Sequence, residues 1–167
     1  VVSILLALTV SLRVTILALT VILLLYLYNY RLKKVVLAGN IVIALLAALT
    51  FMTGGVAVDW VMATGLPGPL IAAGFAFLFH LVREIVKDVQ DIEGDRQAGV
   101  TTLPQVIGIP RSLLAALLLF FALTVLTYIP VLTGWFGEAY KIITVYVIDL
   151  PLLAFLIFLW GNPSPLM

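Results

Sequence analysis

The sequence of 167 residues contains no cysteine and a single histidine, His80. Without cysteine the chain cannot form a disulfide, attach a c-type haem or build a thiolate metal site. Charged residues are scarce as well: nine Lys and Arg stand against eight Asp and Glu, which gives a formal net charge of +1. So small a charge provides no basic field for a phosphate backbone, and we expect no nucleic-acid partner.

Hydrophobic residues are correspondingly abundant. They make up 64% of the chain, and charged residues make up 10%, whereas soluble domains carry about 25% charged residues. Apolar runs that approach the bilayer-spanning length of about 20 residues lie at 14–30, 35–58, 66–82, 112–132 and 142–160. We therefore predict an all-α, polytopic transmembrane helical bundle that forms a single domain over residues 1–167, with membrane lipids around it.

Both ends of the chain break this pattern. Residues 1–12 are apolar but too short to cross a bilayer, so they predict the last part of a helix. No charged region precedes them, and a cleavable targeting peptide is not expected. After Trp160 the sequence GNPSPLM is rich in turn-forming residues. We therefore expect a bundle that is truncated at both ends.

The basic residues are distributed unevenly between the two sides of the predicted bundle. If successive spans cross in alternate directions, seven of the nine share one side: Arg31, Lys33, Lys34, Arg83, Lys87, Arg96 and Arg111. Arg13 and Lys141 lie on the other side. Loops rich in Lys and Arg face the cytoplasm. We therefore predict a cell-membrane protein in which the turn 31–34 and the loop 83–111 face the cytoplasm.

The segment Arg83–Pro104 places five carboxylates on this side. Four of them fall at steps of four, three and four, namely Glu84, Asp88, Asp91 and Asp95. On one helix this spacing puts them on one face, where they repel one another unless a cation binds. Oxygen ligands without Cys favour a hard ion, Mg²⁺ first. The alternative is a solvated face on which Arg83, Lys87 and Arg96 neutralise the acids locally.

Basic side chains on the same side are candidates for binding a diphosphate. They are Arg31, Lys33, Lys34 and Lys87. Breaking the bond between a carbon and a diphosphate requires the charge on the leaving group to be neutralised, and carboxylate-bound Mg²⁺ together with Lys or Arg can do this. The same residues also fit the cytoplasmic charge bias alone.

Three more polar residues lie within or near the apolar runs. Asp149 lies in the run 142–160, where a charged group costs on the order of 3 kcal/mol. It either faces the bundle interior or bonds helix backbone freed by Pro151. Asn40 and Glu84 are further candidates for lining an internal cavity, and His80 is assigned no role.

Three stretches of sequence carry a resemblance to a known family. In order they read LYNYRLKKVVLAGN at 27–40, LTFMTGG at 49–55 and REIVKDVQDIEGDRQAGVTTLPQVIG at 83–108. Together they resemble the UbiA superfamily of intramembrane prenyltransferases, and within it the archaeal-type branch, the geranylgeranylglyceryl phosphate geranylgeranyltransferases. The family holds Mg²⁺ with two Asp-rich motifs over the diphosphate of a prenyl donor. Asp91 and Asp95 match the DxxxD pair of the second motif, with Asp88 and Glu84 just upstream.

The resemblance implies a function for these residues. Asp91 and Asp95 would be catalytic and, with Asp88, would hold the Mg²⁺ for transfer of a prenyl group to a lipid acceptor, the hydroxyl of geranylgeranylglyceryl phosphate in ether-lipid biosynthesis. An aromatic acceptor, as in quinone, tocopherol or chlorophyll-type pathways, is the alternative within the family. A cation channel or transporter is disfavoured, because only Asn40 and Asp149 interrupt the spans appreciably.

One expected feature is absent from this sequence. The family's first Asp-rich motif has no counterpart, since no acidic residue precedes Asp59. A truncated chain explains this absence more simply than a degenerate enzyme does. We therefore expect this polypeptide to be inactive by itself.

Overall fold

The computed structural model describes residues 2–161 and contains helices but no strand within that range. The helices are α1 (Val2–Val10), α2 (Leu12–Tyr30), α3 (Ala38–Val58), α4 (Trp60–Thr64), α5 (Pro69–Gln90), α6 (Ile92–Gln97), α7 (Leu103–Ile107), α8 (Ile109–Leu132), α9 (Glu138–Ile142) and α10 (Leu150–Gly161). A 3₁₀ turn, Leu32–Lys34, follows α2, and a π-helical segment, Ile143–Asp149, joins α9 to α10. The predicted all-α class is confirmed. Val1 of the first predicted run, and residues 162–167 of the predicted turn, lie outside the described range.

Five helices are long and apolar enough to cross a membrane: α2, α3, α5, α8 and the continuous helix Glu138–Gly161. Their bounds differ from the predicted runs in two instructive places. Helix α3 begins at Ala38 rather than at residue 35, because Leu37 adopts a left-handed φ of 63°. Helix α5 continues to Gln90, well past residue 82, because Ile85 and Val89 bury an apolar face beside the charged residues.

Local sequence explains where several helices begin. The hydroxyl of Ser11 accepts a hydrogen bond from the amide of Val14 at 3.2 Å, and the carboxylate of Asp59 accepts one from Met62 at 2.7 Å. These are N-cap interactions, which satisfy amides that have no partner inside the helix. Helices α5, α7 and α8 instead begin with a proline in their first two positions, where proline's missing amide costs nothing.

Helix α5 is the central helix of the bundle. It packs against both α3 and α8, while α2 packs on α3, α1 on α2, and α10 on α8. The core between them contains large side chains that are almost fully buried, among them Ile85, Leu113, Phe120 and Leu159. Since the acidic segment begins in the last turns of α5, this packing fixes the position of its first carboxylates.

Candidate active site

The four carboxylates of the predicted column are divided between two helices. Glu84 and Asp88 lie in the last turns of α5, Asp91 ends that helix with φ −112° and ψ 26°, and Asp95 lies in α6. The prediction of one uninterrupted helical face is therefore wrong at Asp91. The segment 91–99 contains two glycines and little apolar surface, so it has no buried face that would hold a straight continuation of α5.

Glu84 is buried and both of its carboxylate oxygens are occupied by cations. Its Oε1 accepts from Nη1 of Arg83 at 3.0 Å, and its Oε2 accepts from Nζ of Lys87 at 2.5 Å. Glu84 therefore holds Lys87 in place, and each of its two oxygens already has a cationic partner.

Local ion pairs account for only part of the acidic charge. Arg96 pairs with Glu93 at 3.4 Å on the exposed surface. None of the ion pairs within residues 2–161 involves Asp88, Asp91 or Asp95. Neutralisation by neighbouring cations thus explains the two glutamates of the segment but not the three aspartates.

Asp88 is buried and is held by a residue from another helix. Its Oδ2 accepts a hydrogen bond from Nδ2 of Asn40 at 2.8 Å, across 48 positions of sequence. Asn40 lies in the first turn of α3, so this bond joins α3 to the end of α5. The bond orients the Asp88 carboxylate and places Asn40 beside the acidic residues.

Asp95 carries a buried oxygen, Oδ2, that has no hydrogen-bond partner in the part of the chain that the structure describes. Burial raises the pKa of the Asp95 carboxyl above its usual value, repulsion from Asp91 raises it further, and Lys87 opposes both. A buried acceptor without a donor requires a ligand, water or ion to satisfy it.

These aspartates have the chemistry of a Mg²⁺ site. They offer only oxygen, and among the described residues they form no ion pair and leave one buried oxygen without a hydrogen-bond partner, which fits a hard cation. Within residues 2–161 no three acidic or histidine side chains converge closely enough to hold a metal ion by themselves. Mg²⁺ typically binds one or two carboxylates and completes its shell with water and substrate phosphate oxygens.

The basic turn packs at the same end of the bundle. Its side chains Arg31, Lys33 and Lys34 are exposed. A Cβ at Gly39 would lie 3.3 Å from Cα of Lys33 and 3.5 Å from Cε2 of Tyr28, so the missing side chain of Gly39 allows the turn to approach α3.

That close approach brings the basic turn next to the aspartates. Gly39 directly precedes Asn40, the partner of Asp88. Tyr28 also lies near enough to Lys87 for an electrostatic interaction. The four predicted diphosphate-binding residues thus lie at the end of the bundle where the aspartates lie.

Asp149 belongs to a second polar cluster, away from this end. It is 5% exposed, lies in the π-helical segment, and its Oδ2 accepts from the hydroxyl of Thr127 on α8 at 3.2 Å. The hydroxyl of Tyr140 donates to the carbonyl oxygen of Thr127 at 3.0 Å. Asp149 therefore faces the bundle interior and bonds a neighbouring helix rather than backbone near Pro151.

A cavity of about 350 Å³ adjoins this cluster, and its lining includes Asp149, Thr127, Tyr140 and His80. His80 precedes Asp88 by eight residues on α5, a rise of about 12 Å. The structure therefore does not bring Asp149 together with the acidic end. Sequence reasoning had singled out neither Thr127 nor Tyr140, because only the folded bundle makes them neighbours of Asp149.

Comparisons with known proteins show which family the chain resembles over most of its length. The sequence model of the UbiA prenyltransferase family matches residues 1–165. Digeranylgeranylglyceryl phosphate synthase of Thermococcus gammatolerans is 36% identical over 129 residues, which cover 77% of this chain and 45% of that protein. The synthase of the same name from Methanopyrus kandleri is 37% identical over 139 residues, 82% of this chain and 49% of that protein.

A solved structure also resembles this one closely. It is described as giving insights into the biosynthesis of digeranylgeranylglyceryl phosphate synthase in membranes. The two share a TM-score of 0.80 at 31% sequence identity, over 98% of this chain and 58% of that one. The chain thus spans about half the length of the curated relatives it matches.

Proposed function

This chain is a member of the UbiA prenyltransferase family, and from that premise we propose that it forms part of a Mg²⁺-dependent enzyme that transfers a prenyl group. The donor is a prenyl diphosphate and the acceptor is the hydroxyl of geranylgeranylglyceryl phosphate. The observation that carries the proposal is the set of three aspartates that form no ion pair within residues 2–161, at the end of the bundle that also bears the basic turn. The names of the relatives support this acceptor over an aromatic one.

Asp91 and Asp95, assisted by Asp88, would hold the Mg²⁺, which when bound neutralises charge on the diphosphate leaving group. Asn40 occupies one oxygen of Asp88 and so fixes the direction of the other. The buried Oδ2 of Asp95 has no hydrogen-bond partner among the described residues and is therefore available to a cation. Lys87 remains close to the carboxylates of Asp88 and Asp95 because Glu84 holds its ammonium group.

The basic residues bind the diphosphate oxygens that the carboxylates would otherwise repel. Lys87 contributes a fixed charge, and the exposed side chains of Arg31, Lys33 and Lys34 contribute mobile ones. The carbon–oxygen bond of the donor breaks with its electron pair leaving on the diphosphate, and an allylic cation remains. The apolar bundle excludes water that would capture this cation. The acceptor oxygen then forms the new bond to carbon and passes its proton to the released diphosphate, the base that the reaction itself supplies.

A chimera tests this function in an active context. This chain replaces the matching part of the Thermococcus gammatolerans protein, and transfer of a labelled geranylgeranyl group is measured in membranes with geranylgeranylglyceryl phosphate or an aromatic hydroxy acid. We expect the lipid product, and we expect Asp91→Asn or Asp95→Asn to lower its formation by roughly 100-fold or more. Wild-type activity in the doubly substituted chimera would overturn the assignment, and transfer to the aromatic acid alone would favour the other acceptor class.

A further inference from the structure

Gly94 occupies a position at which glycine has no evident backbone role. It lies inside α6, Ile92–Gln97, and glycine is a weak helix former compared with alanine. Its φ is not among the positive values, which within residues 2–161 belong to Leu37, Gly99, Gly108 and Gly134. The backbone at this site would therefore accept any residue, and the reason for glycine lies elsewhere.

The side chain of Asp91 fills the space that a Cβ at Gly94 would need. Such a Cβ would lie 2.2 Å from Oδ1, 3.0 Å from Cγ and 3.3 Å from Oδ2 of Asp91. The first distance is far below van der Waals contact, so the carboxylate would have to move. By contrast, a Cβ at Gly54, another helical glycine, would meet nothing within 4 Å.

We propose that Gly94 is a positioning residue for Asp91: its missing side chain lets the Asp91 carboxylate lie against the start of α6, on the side of Asp95. The two carboxylates lie near enough to repel each other, as two ligands of one cation must. Any side chain at position 94 would turn Asp91 away from that arrangement. The inference rests on the proposed function, since it assigns these carboxylates to a shared metal ion.

The test measures metal affinity directly, with Mn²⁺ as the probe and electron paramagnetic resonance as the readout, on the purified chimera described above, in which the rest of the relative's chain is present. Five variants are compared with the wild type: Gly94→Ala, Asp91→Asn, these two combined, Asp95→Asn, and Gly54→Ala as the matched control. We expect Gly94→Ala to weaken Mn²⁺ binding by about 10- to 100-fold, as loss of an orienting partner does, and Gly54→Ala to leave it unchanged. In the Asp91→Asn background, Gly94→Ala should add no further loss, because the residue acts only through Asp91.

Thermal unfolding of each variant separates positioning from stability. Gly94→Ala should keep or raise the melting temperature, since alanine favours the helix. Wild-type Mn²⁺ affinity in Gly94→Ala, an equal loss in the Asp91→Asn background, or a collapse of the fold would each overturn the inference. If instead Asp91→Asn and Asp95→Asn leave Mn²⁺ binding unchanged, the metal site of the proposed function fails and this inference fails with it.

Discussion

The bond between Asn40 and Asp88 concentrates several roles in two side chains. It joins two helices, it satisfies one oxygen of a buried carboxylate, and it stands next to the basic turn. A buried acceptor that loses its donor bears the full penalty of desolvation, which exceeds the net contribution of an ordinary hydrogen bond. Asn40 should therefore matter for stability as well as for the site.

Replacing Asn40 with alanine tests this role. We expect the free energy of unfolding, measured by titration with a denaturing detergent, to fall by about 1–3 kcal/mol. Asn29→Ala is the matched control, because the amide of Asn29 donates to the carbonyl oxygen of Leu25 within its own helix rather than to a neighbouring helix. That control should change the free energy by less than about 0.5 kcal/mol. Equal effects of the two substitutions would mean that the bond to Asp88 contributes nothing.

A second pair of substitutions tests whether Lys87 contacts the diphosphate. Lys87→Met in the chimera removes an ammonium group near two carboxylates, while Arg83 still pairs with Glu84. We expect kcat/KM for the prenyl diphosphate to fall by about 10- to 100-fold, the effect of one charge-assisted hydrogen bond. Lys141→Met is the control, since Lys141 pairs with exposed Glu138 at the opposite end. Similar losses in both variants would argue against a specific contact with the diphosphate.

At the scale of the helices, the close approach of α3 to α5 depends on Gly55, the second of two adjacent glycines. A Cβ at Gly55 would lie 2.6 Å from Cγ of Pro69 and 3.1 Å from Cβ of Ala63. Gly55→Ala should therefore destabilise the bundle by about 1–3 kcal/mol through overpacking. Gly54→Ala, one residue earlier with open space around it, should be neutral or stabilising by up to about 1 kcal/mol. The melting temperatures of the two variants test this difference. A stabilised Gly55→Ala variant would contradict this packing.

The helices could be predicted from sequence far better than their ends. Long apolar runs establish the spans because few other structures tolerate them. The end of α5 was misplaced because Arg83 and Glu84 interrupt the hydropathy, although Ile85 and Val89 continue the buried face. The break at Asp91 was missed because a spacing of three and four residues shows which residues could share a face but not whether the helix stays straight.

The candidate site shows the same division. Residue type and spacing marked the aspartates, and charge marked the basic turn. The pairing of Asn40 with Asp88 spans 48 positions, and no periodicity within one helix can indicate it. The steric role of Gly94 depends on the rotamer of Asp91, which is likewise decided by the folded structure. Sequence thus marks the candidate donors of the site, and only the fold shows what orients them.

Across the whole molecule, the two ends of the bundle differ in charge. Arg13 stacks over the ring of Trp60 at 5.2 Å at one end, and the basic turn lies at the other end of α2, about 28 Å away by helical rise. The bias of Lys and Arg predicts that the end with the turn faces the cytoplasm. Single cysteines at Lys34 and Gln97, both exposed, should react with an impermeant thiol reagent only from inside. A cysteine at Glu138 should react only from outside, and the reverse pattern would invert the topology.

The acidic residues are also distributed unevenly along the sequence. No acidic residue precedes Asp59, and the chain spans about half the length of the relatives it matches. The family resemblance implies two Asp-rich motifs around one diphosphate, and the aspartates near α6 supply only one. Within residues 2–161 they do not enclose a metal ion by themselves, so a diphosphate in their vicinity would meet too little positive charge to leave as an anion.

We therefore expect the chain alone to form no prenylated product from geranylgeranyl diphosphate and geranylgeranylglyceryl phosphate. Product should appear when the remaining helices of a relative are supplied on a separate polypeptide in the same membrane, because the two sets of carboxylates then face one diphosphate. The same complement with an Asp91→Asn, Asp95→Asn chain serves as the control and should stay inactive. Sustained turnover by the chain alone would mean that one group of aspartates suffices, and it would refute the division of the metal site between two motifs.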